Sequence, residues 1–379
     1  PAVAAAASPH VVVAAACHLA AVSTKITTPV VAREAFSALV ASLERPTPEA
    51  IDAEDEDKVE EAWRVTRDAA SWAARAVCAE APCADEAFGV ASSEATVCLA
   101  ERLVALAEKN PAKGAAPLRA LAGLAEAATS AIAPETAAVL AARIVHAYAE
   151  VFPNGNEGDG CDDDGDDETG IDAWETSVEA VASLCECAEN CEGNDEATVT
   201  KTAAAKTKLA AIAAAHVRAY WKAAAALEPP CFLVGDDDDD DTDMHDANET
   251  DTPPAHPATA PMLRFACQTL AEASTSGAAV DAATASKVFA AAGDWASFLP
   301  AWQRREGDEI CDDDALDALT CMLGACVESN AGELVTAALA VPGAAAAAAT
   351  LAETEDSDAL RRGKSRRGGG FIVRLCGDP

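Results

Sequence analysis

Aromatic side chains are scarce in this sequence: they make up 4% of its 379 residues, and only two of them are tyrosines. Hydrophobic residues still account for 50% of the chain, because alanine fills most of the apolar positions. Alanine is the strongest helix former and β-branched residues are sparse, so the composition predicts helices rather than sheets. Small side chains bury little area each. A core of this kind needs many closely packed helices, arranged as two or three domains or as one elongated array.

Basic residues are also few, with 27 Lys and Arg against 64 Asp and Glu, which gives a formal net charge of -37. This balance argues against general affinity for the phosphate backbone of nucleic acids, and it favours basic proteins or peptides as partners. Part of the charge is concentrated in two segments. Residues 153–170 contain eight acidic residues and residues 235–251 contain ten, and neither segment contains Lys or Arg.

Long uninterrupted apolar runs are missing, so the sequence predicts no membrane-spanning helix, and no signal peptide is visible. Cysteine is plentiful, with 14 residues, but the spacing is irregular and most cysteines lie in apolar helical stretches, as Cys78, Cys98 and Cys267 do. Cysteine behaves there as a small hydrophobic residue. These features predict a reducing compartment, the cytoplasm or the nucleus.

The sequence contains no Gly-x-Ser-x-Gly, no His-Glu-x-x-His and no phosphate loop. Cys185, Cys187 and Cys191 invite a zinc site, but no nearby histidine or Cys-x-x-Cys supplies the fourth ligand, so a structural role is favoured. The acidic run GDGCDDDGDDETG at residues 158–170 has no register that combines the first Asp, the central Gly and the twelfth Glu of a calcium loop. We therefore predict a non-enzymatic protein without a metal or cofactor.

Prolines and capping residues divide the chain into helical segments. Ser8 with Pro9 and Thr28 with Pro29 mark the starts of two short helices. The predicted organisation is a helical block at 1–152, an acidic loop at 153–170, helices at 171–230, an acidic proline-rich linker at 231–261, helices at 262–350 and a basic Gly/Arg tail at 351–379. The proline-rich linker and the acidic loop are expected to be disordered insertions in an all-α fold.

Helix pairs such as the one that begins with SPHVVVAAACHLAAVS recur at roughly 40–50 residues, and the chain thus resembles armadillo and HEAT repeat proteins. That resemblance implies an α-α superhelix, a solenoid. The Trp, Gly, Tyr and Pro pattern of tetratricopeptide repeats is absent. Ser286–Trp302 and Asp172–Asn190 further resemble helices of the importin and exportin receptors, which implies Ran or basic transport cargo as partners, although no recognisable Ran-binding amino-terminal segment is present.

The predicted function is a scaffold that binds basic or extended peptides through an acidic surface. Most of the six tryptophans are expected in the core, and any exposed one is the first hot-spot candidate. The tail RRGKSRRGGGFIVRL is typical of an RNA contact or a nuclear-localisation signal, so a transport receptor and an RNA-processing subunit are the alternatives. The candidate partner-binding residues are Trp174, Trp221, Trp295, Trp302, Arg361, Arg362, Lys364, Arg366 and Arg367.

Overall fold

The computed structural model describes residues 8–44, 53–111, 114–149, 168–191, 196–225, 256, 258–275 and 283–291. Regular secondary structure throughout these ranges is helical, which confirms the predicted all-α class. The helices are α1 (Pro9–Val22), α2 (Pro29–Leu43), α3 (Ala53–Glu80), α4 (Ala84–Phe88), α5 (Ser93–Lys109), α6 (Ala115–Ala127), α7 (Pro134–Ala149), α8 (Glu168–Glu189), α9 (Glu196–Ala225) and α10 (Thr259–Thr275), and residues 283–291 are also helical. Among these helices, none is long and apolar enough to cross a membrane. The chain divides into two compact units, Pro1–Leu209 and Ala210–Pro379.

The first two helices begin at the prolines that predict them. Ser8 and Thr28 are the N-cap residues, and Pro9 and Pro29 follow directly. Neither cap side chain bonds to its helix; the backbone carbonyl of Thr28 instead accepts a hydrogen bond from the amide of Ala32 at 3.1 Å. Proline has its φ fixed at a helical value and lacks the amide hydrogen that the first turn cannot use. The prolines therefore set these helix starts more than the cap side chains do.

One face of α3 is buried and the opposite face is polar, as its sequence predicts. Trp63 is 5% exposed and Ala70 and Ala74 are fully buried, whereas Arg64 is exposed. A helix advances about 100° per residue, so position 72 projects from the side opposite to position 63. Trp72 is accordingly 55% exposed.

In the first unit, helices two or three elements apart in the chain pack against one another. α3 packs against α1 and α6, and α6 packs against α8. A second set of helices packs beside these: α2 packs against α3, and α7 packs against α8. α5 and α7 of this set also pack against each other. The predicted pair of α1 and α2 has little mutual contact, because α3 lies against both of them. The main contacts therefore join helices that are two or three elements apart in the chain, and they do not join the two helices of the predicted pair.

Helix α6 lies at the centre of this packing. Every residue of α6 is buried except Glu126. A helix that is surrounded on all sides needs small or apolar side chains all round, and its sequence AAPLRALAGLAEA supplies them. Gly123 permits the closest approach, since a Cβ atom there would lie 2.9 Å from Cγ and 3.0 Å from Cα of Arg75 on α3. Close packing of small residues is what the alanine-rich composition predicts.

Tyr148 of α7 closes the space beside the start of α6. Its side chain is fully buried, and its Oη atom occupies the position that a Cβ atom at Gly114 would take. The hydroxyl has no hydrogen-bond partner among the described residues. Burial raises the pKa of Tyr148, because the phenolate would lose its hydration.

Two helix starts differ from the predicted segment boundaries. α8 begins at Glu168 rather than at residue 171, and α10 begins at Thr259 rather than at residue 262. An acidic residue is favourable in the first turn of a helix, where the helix dipole is positive. Pro261 fits the first turn of α10, where backbone amides have no intrahelical partner. The rest of the predicted acidic loop, most of the linker and everything beyond residue 291 lie outside the described residues.

In the second unit, aromatic rings pack around the carboxyl-terminal part of α9. The ring of Tyr220 lies edge-on to Trp221, with centroids 6.3 Å apart, and to His256, with centroids 5.8 Å apart. His256, which the sequence places in the linker, thus packs on α9. His216 is fully buried on the same helix, and burial lowers its pKa to about 4.

Candidate functional site

The exposed indole of Trp72 is the largest accessible aromatic group in the described part of the first unit. Arg119 of α6 lies over it, with the guanidinium carbon 4.6 Å from the ring centroid. A cation at this distance is attracted by the electron-rich face of the ring. The contact fixes one face of Trp72 against the protein, while more than half of the residue stays accessible.

Arg119 also joins three helices through hydrogen bonds. Its Nη1 atom donates to Ser71 Oγ at 3.1 Å and to Asp68 Oδ1 at 3.4 Å on α3, and its Nη2 atom donates to Asp172 Oδ2 at 3.3 Å on α8. The arginine side chain is only 9% exposed, whereas those of Asp68 and Asp172 are 41% and 55% exposed. The planar guanidinium suits this arrangement, because it can donate in several directions and stack at the same time. We call Asp68, Trp72, Arg119 and Asp172 the Trp72 surface.

A second ion-pair cluster lies along the same three helices. Arg75 of α3 bridges Glu126 of α6 at 3.3 Å and Glu179 of α8 at 2.6 Å. Burial raises the pKa of Glu126, an effect that Arg75 opposes and Glu179 reinforces. We call these residues the Arg75 cluster. It lies one helical turn from Trp72 along α3, next to the close approach at Gly123.

Both groups carry more acid than base. The Trp72 surface has two carboxylates and one guanidinium, and so does the Arg75 cluster. Asp68 and Asp172 are both partly exposed, and both accept hydrogen bonds from Arg119, which lies over the indole of Trp72. Such a surface can accept a lysine or arginine side chain, because the cation contacts the ring and the carboxylates together. The arrangement suits recognition of a cation and contains no nucleophile paired with a base.

The predicted partner-binding tryptophans divide into two groups. Trp174 is 3% exposed and Trp221 is 4% exposed, so both contribute to packing and neither presents its ring at the surface. Trp295, Trp302 and the tail residues Arg361, Arg362, Lys364, Arg366 and Arg367 lie outside the described residues. The transport and RNA roles that depend on them stay predictions.

Sequence reasoning identified Trp72 only as one of six tryptophans and did not identify Arg119. A signal for both was present in the sequence. Trp72 falls on the polar side of α3, and Arg119 is the only basic residue of a helix whose other residues, apart from Glu126, are small or apolar. A charged side chain in a helix that is buried nearly all round requires a partner, so Arg119 predicts a buried ion pair, although the sequence does not say with which residue.

The cysteines considered as zinc ligands are packed in the interior. Cys185 and Cys187 are buried, and burial raises the pKa of each thiol. The thiol of Cys191 donates to the carbonyls of Ser130 and Ile132, each at 3.6 Å, and so supports the turn after α6. Within the described ranges, no group of three or more His, Cys, Asp or Glu residues is arranged to hold a metal ion.

Comparison of the chain with protein-family models, curated proteins and solved structures finds no match.

Proposed function

We propose that this chain is a non-enzymatic scaffold of the armadillo or HEAT type, a helical solenoid that binds basic or extended peptides at the Trp72 surface. Support for the architecture comes from the packing of α1, α3, α6 and α8 in succession, with α2, α5 and α7 on the other side. Stacked helices of this kind offer long binding surfaces, because each added helix extends the same face.

The observation that carries the binding role is the exposure of Trp72 beside two carboxylates that are themselves accessible. Large aromatic residues dominate binding energy at interfaces, and an indole flanked by acids favours a cationic side chain. Arg119 restrains the indole before binding, so little side-chain entropy is lost when a partner contacts it. Nothing comparable would attract an anionic polymer to this surface.

Binding is tested with the full chain and a fluorescein-labelled peptide of alternating Gly with Lys or Arg, followed by fluorescence anisotropy. We expect the peptide to bind and its affinity to fall as salt is added, because the contacts are charged. Trp72→Ala should weaken binding at least about fivefold, which corresponds to the loss of a cation–π contact of roughly 1 kcal/mol. Asp172→Asn should weaken it less and should reduce the salt dependence.

Val65→Ala is the matched control, because Val65 is also an exposed apolar residue of α3, at 45%. Circular dichroism establishes that each variant keeps its helix content. Equal affinities for Trp72→Ala and Val65→Ala, or no binding by the unmodified chain, would contradict the proposed role of this surface.

A further inference from the structure

An open groove lies between α5 and the start of α7 in the first unit. Its volume is about 420 Å³, which falls within the roughly 300–1,000 Å³ of ligand-binding clefts. The lining combines small or apolar side chains with two carboxylates, and it includes Glu94, Val97, Cys98, Glu101, Ala133 and Thr136. We call this space the α5–α7 groove.

Two glutamates of α5 give the groove its charge. Glu94 and Glu101 are both exposed, and they are seven residues apart in the helix, which places them on one face about 10 Å apart along the axis. Within the described ranges, neither carboxylate lies within ion-pair distance of a basic side chain. The groove therefore fits a cationic occupant better than a neutral or anionic one.

The same two helices form an arginine–glutamate pair further along. Arg143 of α7 donates from Nε to Glu108 Oε1 at 2.8 Å and from Nη2 to Glu108 Oε2 at 2.5 Å. Two parallel hydrogen bonds of this kind are the strong geometry for arginine with a carboxylate. Glu101 adds only a weaker electrostatic attraction to Arg143. The pair shows which side chain fits between α5 and α7 beside a glutamate.

Seven residues before this pair, the same register contains no arginine. Glu101 precedes Glu108 by seven residues, and Thr136 precedes Arg143 by seven. Thr136 therefore has, relative to Glu101, the place that Arg143 has relative to Glu108, and both Glu101 and Thr136 line the groove. Threonine is short and uncharged, so the space that an arginine side chain fills at Glu108 stays open at Glu101.

We propose that the α5–α7 groove binds an arginine side chain of a partner protein. The guanidinium pairs with the carboxylates of Glu101 and Glu94, as that of Arg143 pairs with Glu108, and the aliphatic stem lies against Val97. Arginine suits the site better than lysine, because its planar fork donates to both oxygens of one carboxylate.

Cys98 allows binding to be measured in the groove itself. Its thiol is free and its side chain is exposed, and it lies four residues after Glu94 and three before Glu101, on the same face of α5. The probes are the disulfide dimers of acetyl-Cys-Arg-amide and acetyl-Cys-citrulline-amide, which exchange with protein thiols. Citrulline has nearly the shape of arginine without its charge. Mass spectrometry of the digested full chain gives the fraction of Cys98 that carries each probe at a fixed thiol–disulfide ratio.

We expect Cys98 to take up the arginine probe at least about threefold more than the citrulline probe. Cys17, an exposed free thiol on α1, a helix without acidic residues, reports the general attraction of the probe to an acidic chain and should show a smaller preference. Glu94→Gln with Glu101→Gln should remove the excess preference at Cys98. Glu34→Gln, at an exposed glutamate of α2, should leave it unchanged.

A second pair of variants tests the register of α5 and α7. Thr136→Arg supplies the arginine from the chain itself, so it should abolish the excess preference at Cys98, whereas Thr136→Gln adds a long side chain without charge and should largely retain it. Trp72→Ala should have no effect, because the groove does not depend on the Trp72 surface. Equal preferences at Cys98 and Cys17, or an excess that survives loss of both glutamates or persists in Thr136→Arg, would overturn the proposal.

Discussion

Replacement of Gly123 by alanine tests whether the spacing of α3 and α6 is set by this one position. The new Cβ atom would lie 2.9 Å from Cγ, 3.0 Å from Cα and 3.2 Å from Cβ of Arg75. The Cγ atom can move by rotation of the side chain, but the Cα atom moves only if the helices separate. The substitution therefore strains the backbone contact as well as the side chain.

Opposing effects decide the sign of the change in stability. Alanine in place of glycine inside a helix gains about 1 kcal/mol through propensity. Overpacking of a close contact costs about 1–3 kcal/mol, and displacement of Arg75 from Glu126 and Glu179 costs up to about 1 kcal/mol more. We expect Gly123→Ala to destabilise the first unit by about 1–2 kcal/mol, which lowers its Tm by roughly 2–8 °C.

Thermal and urea unfolding of the full chain, followed by circular dichroism, measure this change. Arg75→Ala removes the Cγ atom, so the double variant Gly123→Ala with Arg75→Ala should be less destabilised than the sum of the two single variants. Peptide binding should weaken in Gly123→Ala, because Arg119 lies one turn away on α6 and its position over the ring of Trp72 depends on the spacing of α3 and α6. A rise in Tm for Gly123→Ala would refute the reasoning, since propensity would then outweigh the contact.

Other consequences concern buried and paired groups. Tyr148→Phe should stabilise the first unit by about 1 kcal/mol in urea unfolding, because it removes a buried hydroxyl that has no partner among the described residues; Gly114→Ala should destabilise it by clashing with that hydroxyl, and a loss of stability in Tyr148→Phe would contradict this account. Burial lowers the pKa of His216 from 6.5 to about 4, so the folded state binds fewer protons in this range and loses stability as pH falls through it, by up to roughly 3 kcal/mol. His216→Leu should flatten the dependence of urea midpoint on pH between 7 and 4, and an unchanged slope would exclude His216 as its source. The hydrogen bond from Arg143 lowers the pKa of Glu108, so the pair stabilises the fold at pH values above the pKa of Glu108 in the unfolded chain, and this stabilisation is lost as the pH falls through the lower pKa of the folded state. Arg143→Gln should return the pKa of Glu108, measured by NMR titration, towards 4.5. An unchanged pKa would show that the pair does not form.

Local features of the sequence predicted the elements of the fold. Pro9 and Pro29 act within a single turn, and the spacing of Trp63, Ala70 and Ala74 defines a buried face without knowledge of what covers it. These effects depend on residues that are close together in the chain. The all-α class and the first helix starts could therefore be predicted.

Contacts between distant residues could not be predicted in the same way. Arg119 meets Asp68 and Asp172, which lie about fifty residues before and after it, and nothing in the local sequence selects these two from 64 acidic residues. Lys222 and Lys287 are a second example, since they line one cleft of the second unit only when their helices pack. Segment boundaries at α8 and α10 were missed for a smaller reason: acidic residues and proline are typical of loops but are also tolerated in a first helical turn.

The succession of contacts from α1 to α8 determines how the first unit opens. Each helix is held by the helices that pack against it, so protection of backbone amides from exchange with solvent should follow the number of neighbouring helices. α1 buries only Ala16 and packs mainly on α3, so its amides should exchange after a local opening of low free energy. α6, enclosed by α3, α5 and α8, should exchange only when the whole first unit unfolds, which makes it the slowest-exchanging helix of the unit.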